Sequence, residues 1–392
     1  MSDKEKALAV LQLASQTCSG ALAALADSAT STQPAGVSVD ESLDARLKDF
    51  VSLLTLLYQN ATKLAIALKP ANLTYRAAFT PAKELALHTD ALASCACSID
   101  STLYGGALVR EVRGAAEEVL DALVALLGVY AADAQKSGSS DAQTPRDMYL
   151  VNTAAVHEAI ERARGVSRSN LEAVKKRWES VLSRVDDCAK EAQEMIEEEE
   201  EESGDEEDNE RDELALVDGD DDWGELDGVP SPRKEFVKAS KEELARLQSF
   251  TYALLKRVSS VLLGPTSEFA FLSPSTLDGL LSRCDALSKT ANDLVDALYV
   301  PQELETVTRQ LATFSTLVNE LRSTVSSLGL ASLLTDGEDV ADFSRQTVSL
   351  NIQPHITEAK FAKEKKWFNV CFAQIFKCAD SIGEVSVVSE AQ

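Results

Sequence analysis

Apolar residues recur every three or four positions through nearly every long segment of this 392-residue chain. Leu108, Val112, Ala115, Val119, Leu123, Val124, Leu127 and Tyr130 form one such stripe. Leu171, Val174, Trp178, Val181, Leu182, Val185, Cys188, Ala192 and Met195 form a second. A third runs through Val307, Leu311, Phe314, Leu317, Leu321, Val325 and Leu328. The fourth holds Phe361, Trp367, Phe368, Cys371, Phe372, Ile375, Phe376 and Ala379. A period near 3.6 puts each set on one face of a helix, so the pattern predicts long amphipathic helices. Alternation with period two is absent from the pattern except for a short candidate at Val348–Ile352.

Local signals punctuate the pattern. Thr80-Pro81, Thr144-Pro145 and Ser273-Pro274 each place a hydroxyl before a proline, as at a helix start. Ser38 with Glu41 and Ser240 with Glu243 read as capping boxes. Breaks are expected at Gln33–Gly36, Lys69–Thr74, Gly105-Gly106, Lys136–Ser140, Gly264-Pro265 and Val300-Pro301. The outline is five or six helices, an interruption, and four or five more. The fold class is therefore all-α: two antiparallel helical bundles over 1–196 and 233–385, joined by an acidic linker at 197–232.

The interruption is set by charge. Residues 197–227 carry 19 of the 64 acidic residues against one base, Arg211. A run this charged and this poor in branched apolar residues is expected to be disordered and solvated. It contributes most of the formal net charge of −26. That balance argues against direct nucleic-acid binding and against an anionic membrane surface, both of which need clustered Lys and Arg. Val119–Ala132, the longest apolar stretch on this reading, is too short to span a bilayer. Met1–Lys6 does not read as an export signal, and the seven scattered cysteines read as reduced, intracellular thiols.

Chemistry-bearing constellations are sparse. His157-Glu158 fails the H-E-x-x-H metal pattern because Glu161 stands in the last position. Cys95 and Cys97 lack the two-residue spacer of zinc or redox pairs, and Cys371 and Cys378 fit core packing. No phosphate-binding loop, dinucleotide fingerprint or nucleophile elbow occurs. No catalytic residue, metal ligand or cofactor is expected, and an enzyme is the least favoured class. The acidic run does hold candidates for binding. Trp223 follows Asp220, Asp221 and Asp222, an aromatic embedded in acid. It would anchor in a partner's pocket while the acids complement a basic rim, or dock back onto its own bundle. Ser231, in Ser231-Pro232-Arg233-Lys234, is a candidate acceptor for a proline-directed kinase. Ser203, in Ser203-Gly204-Asp205-Glu206, is one for an acid-directed kinase.

Three segments resemble the cyclin-D-binding protein family. Tyr104–Leu123 is similar to that family's L-x-x-x-V-R-G-A helix through Leu108, Val112, Arg113, Gly114 and Ala115. Arg168–Glu198 resembles the family helix that runs from an asparagine into the acidic linker. Leu280–Gln302 is similar to the family's D-D-L-x-x-S-x-Y-P-P-Q stretch at Asp293, Leu294, Leu298, Tyr299, Pro301 and Gln302. Departures are Val300, where the family often has a second proline, and 151–163, which lacks the family's Trp and Cys. The resemblance implies a helical scaffold without catalytic residues, similar in fold to vinculin and α-catenin bundles. It implies protein partners, namely D-type cyclins, an adaptor protein and helix-loop-helix factors. It also implies restraint of cell-cycle entry, and residence in cytoplasm and nucleus. The alternative reading is a cytoskeletal or junctional adaptor.

Overall fold

The structure, a computed structural model, describes residues 2–30, 42–69, 72–135, 148–204, 232–264, 272–297, 304–328, 330 and 358–390. Eleven α-helices occupy these residues, with no strand among them. They are α1 (Asp3–Thr30), α2 (Leu43–Ala67), α3 (Tyr75–Cys97), α4 (Ser101–Tyr104), α5 (Gly106–Gln135) and α6 (Met148–Arg164). Then come α7 (Asn170–Gly204), α8 (Pro232–Val258), α9 (Pro274–Ala297), α10 (Leu304–Ser327) and α11 (Glu358–Glu390). A short π-helical stretch, Ser259–Leu263, prolongs α8. The all-α expectation holds.

The chain divides into two compact units. The first comprises Met1–Val174 with Ser273–Asp278, and the second Lys175–Leu272 with Gly279–Gln392. The division falls inside α7, one unbroken helix whose stripe from Trp178 to Ala192 packs in the second unit. Most of the expected linker, 205–231, lies outside the described residues.

In the first unit the helices close a ring. α1 packs on α3 and α5, α2 on α3 and α6, and α5 on α6. The core is aliphatic, with Leu11, Leu25, Leu54, Leu57, Leu64, Leu85, Leu92, Leu123 and Ile160 around Phe50. Each such burial stabilises by about 1.5–3 kcal/mol before chain entropy is subtracted. The predicted α5 stripe is buried at Leu108, Val112, Val119, Leu123, Leu127 and Tyr130. It is widened by Val109, Ala116, Leu120 and Leu126, because α5 meets α1, α3, α4 and α6.

Residues Asp3–Asp27 of α1 are long and apolar enough to cross a membrane by length and composition, with mean hydropathy 1.4. This stretch exceeds Val119–Ala132 in length. In the structure Ala7, Leu11, Ala14, Cys18, Ala21 and Leu25 lie buried at 3–4 spacing, the face that α1 turns to α3 and α5.

Ser42, which the sequence pattern did not single out, caps α2, its hydroxyl accepting from the Ala45 N–H at 3.4 Å. One start signal resolves as expected: Ser273 caps α9, accepting from the Thr276 N–H at 3.2 Å. Two others do not. Thr80-Pro81 lies inside α3, where Pro81 is buried. The upstream turn Tyr75–Phe79 is already helical, so the proline only removes one donor from the ladder. Ser240 likewise sits within α8, which begins eight residues earlier at Pro232. The proline at that first position fixes φ for helix entry. Thr144-Pro145, Ser38, Glu41 and Val348–Ile352 lie outside the described residues.

His157 occupies an ordinary packing role. Its ring stacks on Tyr58 at 4.0 Å between centroids. Its Nε2 lies 3.0 Å from the Thr62 hydroxyl, whose hydrogen is committed to the Tyr58 carbonyl, so the imidazole donates. Burial holds the His157 pKa below its ordinary value, with Glu161 opposing weakly. A lowered folded pKa means that the unfolded chain binds the extra proton first. Stability is therefore fully present above the ordinary imidazole range and lost as pH falls through it. Urea titrations at neutral and mildly acidic pH are expected to show this loss, and a smaller one for His157→Gln. Equal losses in the two proteins would refute the assignment.

In the second unit Trp178, Val181, Val185, Cys188 and Ala192 of α7 are buried together with faces of α8 to α11. Leu255 accepts a bond from the Trp178 indole N–H at 3.2 Å, joining α7 to α8. Gln248 of α8 donates to the Ala291 carbonyl of α9 at 2.9 Å. α11 packs on α8 and α10 and so completes the second unit. Phe314, Phe368 and Phe372 are fully buried there.

Candidate functional site

Two of the segments that carry the family resemblance, 104–123 and 168–198, meet at the start of α5. α4 ends at Gly105, whose φ is +96°, and α5 restarts at Gly106. The first N–H groups of a helix have no partner within it and carry a partial positive charge. Here remote side chains satisfy them. The Asp278 carboxylate of α9 accepts from the Gly106 N–H at 2.6 Å and the Ala107 N–H at 2.9 Å. Asn170, first residue of α7, accepts from the Leu108 N–H at 3.0 Å through Oδ1. Its amide donates to Asp278 Oδ1 at 3.2 Å and to the Pro274 carbonyl at 3.4 Å. Asn170 is buried, so these bonds form where water competes little.

α7 and α9 also pair within the second unit. Asp285 accepts from Arg184 at 2.7 Å and from Arg177 at 3.3 Å. Cys188 donates to Asn292 at 3.3 Å. The arginines are about half exposed, so each such pair contributes little to stability. On α8 and α11 the Arg257 Nε donates to Glu364 at 2.7 Å, and Arg257 also lies 5.7 Å from the Trp367 ring centroid.

None of these clusters presents a nucleophile beside a base. Among the described residues no group of three or more His, Cys, Asp and Glu side chains is placed to hold a metal ion. Buried thiols are poor thiolates. Burial pushes the Cys371 pKa up to about 12, and burial with Glu191, Asp187 and Asp296 raises that of Cys188 to about 11. Burial also raises the Cys284 pKa well above the ordinary thiol value, with Asp285 adding and Arg283 opposing. A hollow of about 390 Å³ is lined by Arg46, Asp49, Ser52, Leu53, Leu56, Cys95 and Ser98. Arg46 there donates to the Ser98 carbonyl at 2.8 Å, a structural bond.

Residues 49–198 match the family described as Grap2 and cyclin-D-interacting, N-terminal. Over that segment the chain is similar to the cyclin-D-interacting family. The matched span runs from within α2 to within α7 and contains the Gly105-Gly106 junction and Asn170. Comparison with curated proteins gave no match.

Of the residues expected to bind partners, Asp220, Asp221, Asp222 and Trp223 lie outside the described residues, as does the candidate acceptor Ser231. α8 begins at the next residue, Pro232. Ser203 falls in the last turn of α7. Sequence reasoning missed Asp278 altogether. It took Gly105-Gly106 as a simple break and Asn170 only as the start of a family-like helix. A double glycine before an amphipathic run was the available signal, since Gly105 accommodates a backbone that other residues avoid.

Proposed function

We propose that the chain is a non-enzymatic protein-interaction regulator whose partners include a D-type cyclin, restraining cell-cycle entry. The observation that carries this reading is the family match over 49–198, whose description names interaction with Grap2 and cyclin D. Helix-loop-helix transcription factors are further partners in this reading, and the protein moves between cytoplasm and nucleus. Trp223 is the anchor offered to a partner, with Asp220, Asp221 and Asp222 complementing a basic rim. Phosphorylation at Ser203 or Ser231 adjusts that contact by adding negative charge within the acidic run or just after it.

Titration calorimetry of the full-length protein against a purified D-type cyclin tests the reading, with a cyclin of another class as control. Saturable heat with the first and none with the second is expected, weakened more than tenfold by Trp223→Ala as for a buried aromatic anchor. Flat titrations with both cyclins would overturn the cyclin assignment. Unchanged affinity in the variant would overturn the role of Trp223.

A further inference from the structure

We propose that the outer face of α11 is a docking surface for the chain's own acidic segment, residues 205–231. α11 turns Phe368, Phe372 and Ile375 inward. On its opposite side Lys363, Lys366, Val370, Ala373 and Lys377 recur at 3–4 spacing, and all are exposed. Val370, in the middle of this row, is 54% exposed. Between Lys360 and Lys377 there are five lysines and one acid, in a chain of net charge −26. That acid, Glu364, is buried against Arg257 and does not neutralise the outer row.

The occupant follows from charge and tether. Residues 205–231 hold 13 carboxylates and one base, with Leu214, Leu216, Val217, Trp223 and Leu226 between them. Lysines and a lone valine match carboxylates interspersed with apolar side chains. The segment is also tethered to the second unit at Pro232, within reach of this face. α8 and α11 run antiparallel in a constant register, since Arg257 meets Glu364 and Cys371 donates to the Phe250 carbonyl at 3.6 Å. The start of α8 is therefore level with the end of α11. At about 1.5 Å per residue, Lys377 lies about 18 Å and Lys363 about 39 Å along from Pro232. About a dozen extended residues cover the longer distance, and the segment between Gly204 and Pro232 is more than twice that long. Tethering supplies an effective concentration near the millimolar range, which external anions must exceed. Each exposed pair is weak, but several lysines facing many carboxylates add up, and salt screens the sum. The docked segment keeps this lysine row from other acidic surfaces until a partner draws it away. This holds whatever that partner is.

Carbodiimide coupling of the full-length protein, mixed from equal parts unlabelled and 15N-labelled chains, tests the proposal by joining lysine amines to carboxylates in contact. Links from Lys363, Lys366 or Lys377 to acids within 205–227 are expected at low salt, in same-isotope pairs, and several-fold fewer at molar salt. The K363E/K366E/K377E variant should lose them and be cut several-fold faster within 205–231 by a Glu-specific protease, with unchanged helical circular dichroism. If that variant does not fold, the salt dependence of the wild-type links decides. Absence of these links at low salt overturns the proposal. So do mixed-isotope links alone, which would assign the face to a second copy's acidic segment.

Discussion

Replacing Trp178 with alanine is expected to destabilise the second unit by about 3–5 kcal/mol, the range for emptying a buried aromatic site. Trp178 is fully buried and is the largest side chain in the core. It also holds two helices by a directed bond, its indole N–H meeting the Leu255 carbonyl at 3.2 Å. That carbonyl lies one turn before α8 widens into the π-helical stretch Ser259–Leu263, where regular ladder bonds are interrupted. Trp178→Phe keeps most of the volume and forfeits the N–H bond, so it should cost only about 1–2 kcal/mol. Urea unfolding measures the order of the two variants. Hydrogen exchange locates the loss: amides of α8 should open more readily in Trp178→Ala, with those of α2 and α3 unchanged. A loss under about 1 kcal/mol for the alanine variant would contradict the packing argument, because the site would have to collapse fully around the void.

The second large effect is expected at Gly105. Its φ of +96° and ψ of 146° lie in a region that essentially only glycine occupies. A Cβ there would also overlap the Asn170 side-chain amide. Gly105→Ala therefore combines backbone strain with displacement of the Asn170 cap, and about 2–5 kcal/mol of stability should be lost from the first unit. The two causes separate in a double-mutant cycle. Asn170→Ala alone removes a cap and its bonds, worth about 1–2 kcal/mol. With Asn170 already truncated, Gly105→Ala should cost only the strain, so the double variant is less destabilised than the sum of the single ones. Strict additivity would show that the two side chains do not compete for the same space.

The helices were legible because an amphipathic stripe is local information. Leu311, Phe314, Leu321 and Val325 of α10 are buried as their spacing requires. Register within a stripe was less secure, for Val318 is buried and Leu317 only half so. Both are aliphatic and adjacent, and the choice is made by the neighbouring helix. Start signals failed where two were in competition. Ser240 with Glu243 makes a good capping box, but Pro232 starts the helix first. The polar junction at Gly106 was illegible for a different reason. Its partners lie 62 and 172 residues away, and no local pattern says which carboxylate will meet which helix end.

That separation bears on how the protein is made. A nascent chain emerging from the ribosome presents α1 to α6 long before Ser273–Asp278 is synthesised. Throughout that interval the Gly106 and Ala107 N–H groups have no carboxylate to meet, and the first unit waits on a piece of sequence that belongs by position to the second half. A gene cut at the acidic run would make this interval permanent. The N-terminal product would carry the family segment and lack the six residues that finish its fold.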